Sequence, residues 1–547
     1  MFVCPNCGAN IIFDPGKQML HCDYCDADFP PEAAIRKDDA DENTYTESEA
    51  DESAETGYKE YETTVFTCKE CGGEILANEN TAVTFCSYCG ASTVLMSRVT
   101  KERAPEYIIP FKITKQKSEE LYKNTLKKAL FAPKYMKEDT VIEKFRGIYM
   151  PYWVYNFTEN RQVNLTGQKD SRSGDYIIHT HYAINTQVDA QYNGLSFDAS
   201  SQFSDSLSAA IAPYDFKEAQ PFNTSYMSGF YADVCDTDSR LYEDQCKSIV
   251  VDDIFSRISK ERNVKGITVK TTSKATLTPE KTESNLGYFP VWFLSCRHKD
   301  RVSYAVINGQ TGEVATDIPV DFKKYLLGSL ILAIPLFALL YLIPVIRPVN
   351  LVVFALVFAI ISMIIICSQE NQIYTRENNL DDKGLMAKQG LNEKAIKAAR
   401  KAENKKSAAA KKKTSPLDAV LGVLEVVLFI IGAGFFGYLG ALLAVGLIVV
   451  IKGIADKAKQ NKLQAAGMTV QAKAPGSRKF ALCSKPLIGT LIAAGVWVFA
   501  PPADEYYYIA AVVCIVTVLL SFFDIIKGHN ELATRKLPQF DKRGGDI

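Results

Sequence analysis

The sequence predicts a multidomain protein: two small cysteine-built β ribbons, an α+β middle domain, and an all-α transmembrane region of about six helices. Three observations predict it. Eight of fourteen cysteines fall into four C-x-x-C pairs near the N-terminus. Residues 105–320 alternate polar and apolar positions and are rich in Tyr and Phe. Beyond residue 325 come apolar runs of about twenty residues, the length that crosses a bilayer as a helix. At 547 residues the chain is too long for one core, so several units in series are expected. The net charge of −1 averages an acidic N-terminal part against basic C-terminal loops.

Cys4-Pro-Asn-Cys7 is followed, after fourteen intervening residues, by Cys22-Asp-Tyr-Cys25, and Cys68-Lys-Glu-Cys71 is followed by Cys86-Ser-Tyr-Cys89 at the same interval. The offset of 64 also aligns Phe2 with Phe66, Gly8 with Gly72, Ile11 with Ile75 and Tyr24 with Tyr88, so a whole unit is duplicated. Each C-x-x-C turn sets two thiolates on one ion, and four cysteines complete a tetrahedral Zn²⁺ site with no position left for water. Two structural zinc ions follow, held by Cys4, Cys7, Cys22 and Cys25 and by Cys68, Cys71, Cys86 and Cys89. Metal binding is expected to supply most of the folding free energy of such small units. His21 has no counterpart in the second ribbon, where Phe85 stands, and reads as surface. No basic and apolar leader precedes Cys4, which places the N-terminus in the reducing cytosol and favours metal over disulfides. Cys235, Cys246, Cys296, Cys367, Cys483 and Cys514 are scattered and read as inert, partly buried thiols.

The expected boundaries are zinc ribbon 1 at 1–30, an acidic disordered linker at 31–62 and zinc ribbon 2 at 63–100. Phosphate contacts need clustered Lys and Arg, yet residues 38–62 hold eleven acidic side chains and one lysine, and the ribbons are acidic or near neutral. Nucleic acid is therefore disfavoured as a partner. Two knuckles on a long tether suit linked contacts with protein partners.

The α+β domain at 105–320 is expected to contain a helix near Ser118–Phe131 and strands at Tyr149–Phe157, Tyr176–Thr186 and Tyr288–His298. Asn308-Gly309 and Thr311-Gly312 mark a turn between Val302–Ile307 and Glu313–Ile318. Gly147-Ile-Tyr149-Met-Pro151-Tyr-Trp153 recurs as Gly287-Tyr288-Phe-Pro290-Val-Trp292, with Tyr107-Ile-Ile-Pro110-Phe111 a fainter copy, which points to internal duplication. Proline inside these runs predicts edge strands or strand starts. The aromatics read as core. His179-Thr-His181 lacks a recognisable third metal ligand, and no phosphate loop, dinucleotide fingerprint, H-E-x-x-H or G-x-S-x-G is present, so no catalytic activity is expected.

Phe197-Asp-Ala-Ser200, Ala212-Pro-Tyr-Asp-Phe216, Pro221-Phe222 and Tyr226-Met-Ser-Gly-Phe230-Tyr-Ala-Asp233, with Gly147–Trp153 and the ribbons, resemble bacterial membrane proteins described as TFIIB-type zinc-ribbon-containing. The resemblance covers roughly residues 1–320 and implies a zinc-binding, membrane-attached protein. Such proteins are sometimes labelled primosomal replication-restart helicases from their zinc motif. The helicase label does not carry over, because this chain lacks the phosphate-binding loop of a motor.

Transmembrane hairpins are expected at 325–368, 417–454 and 487–526, with basic cytosolic loops at 369–416 and 455–486 and a cytosolic tail at 527–547. The loops and tail carry twelve, seven and five Lys and Arg, while the intervening turns hold only Arg347. Six helices crossing the cell membrane, with both termini cytoplasmic, satisfy the positive-inside bias. Lys405-Lys406 and Lys411–Lys413 suit anionic lipid headgroups. Glu425 is the one costly intramembrane acid of note. The expected function is a membrane-anchored zinc-binding adaptor or scaffold presenting its ribbons to protein partners. A membrane-tethered nucleic-acid-binding protein and a small-solute or ion transporter with regulatory zinc domains are the alternatives.

Overall fold

The computed structural model describes residues 2–33, 35–36, 59–77, 85–92, 96–342, 347–388 and 475–540. Most of the acidic linker, the expected hairpin at 417–454 with Glu425, and most of both basic loops lie outside the described residues.

The first Cys4 unit carries β1 (Ile12–Asp14), β2 (Met19–His21) and β3 (Asp28–Phe29), a sheet of its own. The second carries β4 (Glu60–Thr67), β5 (Glu74–Ala77) and β6 (Met96–Arg103). The middle region adds β7 (Tyr107–Ile108), α1 (Lys115–Lys128), β8 (Arg146–Ser173), β9 (Tyr176–Asp198), β10 (Tyr231–Ala232), α2 (Glu243–Lys260), β11 (Glu280–His298), β12 (Arg301–Asn308) and β13 (Val314–Thr316). Then come α3 (Phe322–Tyr341), α4 (Pro348–Glu377), α5 (Lys383–Lys388), α6 (Pro475–Phe499), α7 (Asp504–Leu532) and β14 (Arg535–Lys536).

One thirteen-stranded sheet runs through the soluble part, and its main path is Gln220–Pro221, β7, β11, β8, β10, β5, β4, β6. The second Cys4 unit is therefore not the free-standing module expected at 63–100: Leu76 of β5 pairs with Ala232 of β10. The acidic linker also ends earlier than residue 62, since β4 begins at Glu60.

The repeated Tyr-x-Pro runs are neighbours, antiparallel to each other. Tyr149 lies opposite Pro290 and Pro151 opposite Tyr288, so the copies exchange partners about a local twofold between Met150 and Phe289. The parallel neighbours obey the same symmetry, with β10 beside Ile148–Tyr149 and β7 beside Gly287–Tyr288. Both prolines thus sit mid-sheet, against the expectation of edge strands. On its outer side β8 is paired by β10 up to Tyr149 and by β9 from Tyr152, and β11 is paired by β7 up to Tyr288 and by β12 from Val291. Each proline falls in the gap, where its missing N–H has no ladder partner to lose. The carbonyls of Pro151 and Pro290, on the same outer sides, accept from Ala199 N and Gly309 N, both at 2.8 Å.

Alternation along these central strands separates two cores. Tyr149, Tyr288, Trp292 and Leu294 face one side with Phe2, Ile11, Phe13 and Leu20 of the first unit. Ile148, Met150, Phe289, Val291 and Phe293 face the other with Ile75, Ala77 and Tyr88 of the second. The duplicated units occupy opposite faces of one sheet rather than the ends of a tether. Each unit has too little apolar surface for a core of its own, and the sheet covers what it exposes.

In α1, Thr114 accepts from Lys117 N as an N-cap, and Ser118, Tyr122 and Leu126 turn one face inward at four-residue spacing. Helix α2 buries Cys246, Val250, Ile254 and Ile258 on the same rule.

Four helices among the described residues are long and apolar enough to cross a membrane. Helices α4, α6 and α7 pack through Ala355, Ala359, Ala493, Ala510, Ala511 and Cys514, small side chains that let the backbones approach. Helix α4 has 30 residues, about 45 Å, and overshoots a hydrocarbon core of roughly 30 Å. Its extension, 369–377, was expected to be loop. It meets the sheet domain instead: Arg301 Nη1 donates to Glu377 Oε1 at 2.9 Å and Arg376 Nη2 to Asp317 Oδ2 at 2.9 Å. Helix α7 reaches the same side, where Asn530 exchanges hydrogen bonds with both backbone groups of Val320.

Candidate metal centres

The four knuckles share one backbone form. The amide of the residue after the second cysteine, Gly8, Asp26, Gly72 or Gly90, donates to the carbonyl of the first cysteine at 2.8–3.0 Å. All four residues have left-handed φ between 56° and 72°. Glycine adopts that conformation without strain, and aspartate is among the few side chains that visit it.

Folding brings the eight predicted ligands into two clusters, Cys4, Cys7, Cys22 and Cys25 and then Cys68, Cys71, Cys86 and Cys89, with each set's sulfurs within 4.8 Å of one another. Cross-knuckle Sγ···Sγ distances are 3.5 and 3.6 Å in the first and 3.8 and 3.7 Å in the second. A tetrahedral ion with metal–sulfur bonds of about 2.3 Å sets its ligands roughly 3.8 Å apart, so both clusters fit a Cys4-bound ion.

The thiol electrostatics point the same way. Backbone amides of Cys25 and Tyr24 hold the Cys22 thiol down at about 7, and hydrogen bonding from Cys86 holds Cys68 down at about 6. Cys86 in turn is pushed far up by Cys68, Cys71 and Cys89. In each cluster some thiols are held down while their neighbours are pushed up by the crowded sulfurs, a donor set whose remaining protons a bound cation would displace.

Surroundings distinguish the centres. In the first, Cys4 and Cys22 are buried and Cys7 and Cys25 exposed, and Tyr24 at the knuckle tip is 83% exposed. This unit docks on the segment 226–230, where Phe13 N donates to Ser228 O and Phe13 stacks edgewise on Tyr226. His21, expected at the surface, is mostly buried and lies 2.7 Å from Asp28 Oδ1. Hydrogen bonds from His21 and Lys17 hold the Asp28 carboxyl below its usual range. The histidine closes the hairpin and is no part of the sulfur cluster.

All four cysteines of the second centre are buried. Tyr88 is 1% exposed, between Phe293 and Phe540, and Tyr304 Oη donates to its carbonyl at 2.8 Å. Arg297 Nη1 meets Glu70 Oε2 at 2.8 Å beside it. The C-terminal segment, arriving through β14, closes the site: Phe540 N donates to Cys71 O at 2.7 Å and Gln539 to Glu70 O. Sequence reasoning missed this cover. Its only signal was Leu537 and Phe540, two large apolar residues close together in a tail that is mostly polar and charged.

His179 and His181 lie on the exposed part of β9, with His179 2.7 Å from Asp170, and they join no cluster of three ligands among the described residues.

No protein-family model matches the chain, and no solved structure matches it. It is similar to a Bacillus subtilis (strain 168) protein named "Uncharacterized protein YdjG", with 28% identity over 331 residues, 59% of this chain and 91% of that one.

Proposed function

We propose that the chain is a bacterial membrane-anchored adaptor without catalytic activity, a TFIIB-type zinc-ribbon protein whose two Cys4 units each hold a structural Zn²⁺. Its soluble part faces the cytosol and meets protein partners there. The observation that carries the reading is the arm formed by β8 and β9. Strand β11 runs toward the turn whose Arg301 touches α4 and the end of α7. Strand β8 is antiparallel to it, leaves that junction, and continues past the end of β11 at Glu280 to Ser173. At the arm's end Tyr176, Ile177 and Ile178 are 77%, 64% and 49% exposed. Beyond Gln168, where Thr268 pairs with β8, the arm is a two-stranded ribbon, and one with large apolar side chains in water is a binding element rather than a self-sufficient fold.

Charge favours protein over nucleic acid. Beside the exposed Tyr24, Asp23 and Asp26 keep 79% and 91% of their side chains in solvent, a surface that repels phosphate. Six helices with both termini inside fit the positive-inside bias. The described ends fit an even count: α4 carries Arg376 in its last turn on the domain side, and Lys485, in the first half of α6, pairs with Asp524 toward the same end of α7.

The test is photocrosslinking in intact cells from a reactive residue placed at Ile177. A discrete protein adduct, lost when Tyr176 and Ile178 are changed to serine, is expected. A nuclease-sensitive adduct, or none, would overturn the adaptor reading. Metal analysis should find two zinc ions per chain, and one in Cys71→Ser.

A further inference from the structure

Of the six cysteines outside the metal clusters, Cys246, Cys296 and Cys514 are buried and pack as small hydrophobes, and Cys235 is half-buried. Cys367 and Cys483 differ. They stand 116 residues apart in sequence, on α4 and α6, and their sulfurs are 3.4 Å apart. Both are half-buried.

The pair lies where the apolar bundle gives way to polar side chains on the domain side. Cys367 precedes Arg376 by nine positions, about 14 Å of helix. Next to it Gln369 Nε2 donates to Ile525 O, and two positions beyond Cys483 Lys485 Nζ meets Asp524 Oδ2 at 2.6 Å. These polar contacts fix the register of α4 and α6 against α7, which holds the two thiols face to face.

We propose that Cys367 and Cys483 form a redox-active dithiol that a low-molecular-weight disulfide converts to an intrachain disulfide. One thiolate attacks the reagent's S–S bond and releases a first small thiol. The second cysteine then attacks the mixed disulfide and releases another. The two cysteine protons end on the departing thiols, the protein loses two electrons, and the reagent gains them. The sulfurs must close from 3.4 Å to a bond of about 2.05 Å, a movement of side-chain scale. The product ties α4 to α6 and fixes the first described membrane hairpin against the last.

The test uses the full chain in lipid vesicles, treated with oxidised glutathione, blocked with N-ethylmaleimide, digested and analysed by mass spectrometry without reduction. The expected product is a peptide holding Cys367 linked to one holding Cys483, absent before oxidation and after dithiothreitol. It should vanish in Cys483→Ser and persist in Cys514→Ser, which controls for disturbance of the bundle. Absence of the linked peptide in the oxidised native chain, or a Cys367 link that survives Cys483→Ser through another cysteine, would overturn the proposal.

Discussion

The second centre should surrender its metal only when the C-terminal segment lets go. Its four cysteines are buried, whereas Cys7 and Cys25 of the first centre are exposed. A chelator therefore meets the first ion directly and the second through an opening step. Phe540 controls that step, because its ring stacks edgewise on Tyr88 at 5.7 Å and its amide holds the Cys71 carbonyl. A fully buried Phe→Ala change costs roughly 3–5 kcal/mol. Phe540 is half-buried, so Phe540→Ala should weaken the closed state by about 1–2 kcal/mol, or roughly 5–30-fold in the opening equilibrium. When opening and closing outpace capture, release follows the open population. With a chromogenic chelator, the full-length protein should release zinc in two phases of equal amplitude. Phe540→Ala should speed the slow phase by about that factor and leave the fast one alone. A single phase, or a slow phase indifferent to Phe540→Ala, would refute the reasoning.

Asp382 caps α5 through Leu385 N at 2.9 Å, and burial, then the neighbouring Asp205, pushes its carboxyl up to about 8. It is protonated in the fold and ionised in the unfolded chain near neutrality, so stability falls as pH rises from about 4 to about 8. Asp382→Asn keeps the cap and should flatten this dependence in thermal melts. Gly147→Ala would place a Cβ 2.4 Å from Phe230 and break its 4.3 Å stack on Phe111. A loss of about 1–3 kcal/mol is expected in denaturant titrations. Arg301→Ala should cost about 2–3 kcal/mol and expose 530–540 to protease. This is less than the roughly 3–5 kcal/mol of a fully buried pair, since Arg301 keeps 25% of its side chain in solvent.

The cysteine clusters were legible because a tetrahedral ion fixes its ligand spacing locally. So were the long apolar helices, because bilayer thickness fixes their length. What resists sequence reading here is tertiary. Pro151 and Pro290 look like edge residues until the neighbouring strands are known to change over at those two positions. Helix α2 was legible in principle, from Cys246, Val250, Ile254 and Ile258 at intervals of four, but its Asp252-Asp253 and scattered polar residues diluted the pattern. The helical extension 369–377 is polar and drops out of a hydropathy reading, although its contacts with Asp317 and Arg301 help join bundle to sheet.

The duplicated units show how one local solution serves two roles. Their knuckles share the hydrogen bond that closes each turn and the left-handed residue after it, so nothing within the C-x-x-C turns makes one tyrosine 83% exposed and its counterpart 1%. The difference comes from what each unit leans on. The first presses one face on the sheet and keeps its knuckle tips in water. The second donates β4 to β6 to the sheet's path and lies beneath a segment that begins where α7 ends. A metal ion bound at the first centre would therefore stabilise a lobe. Bound at the second, it would stabilise the seam between sheet and apolar helices, because β14 pairs with β12 and leads into the cover that Phe540 provides.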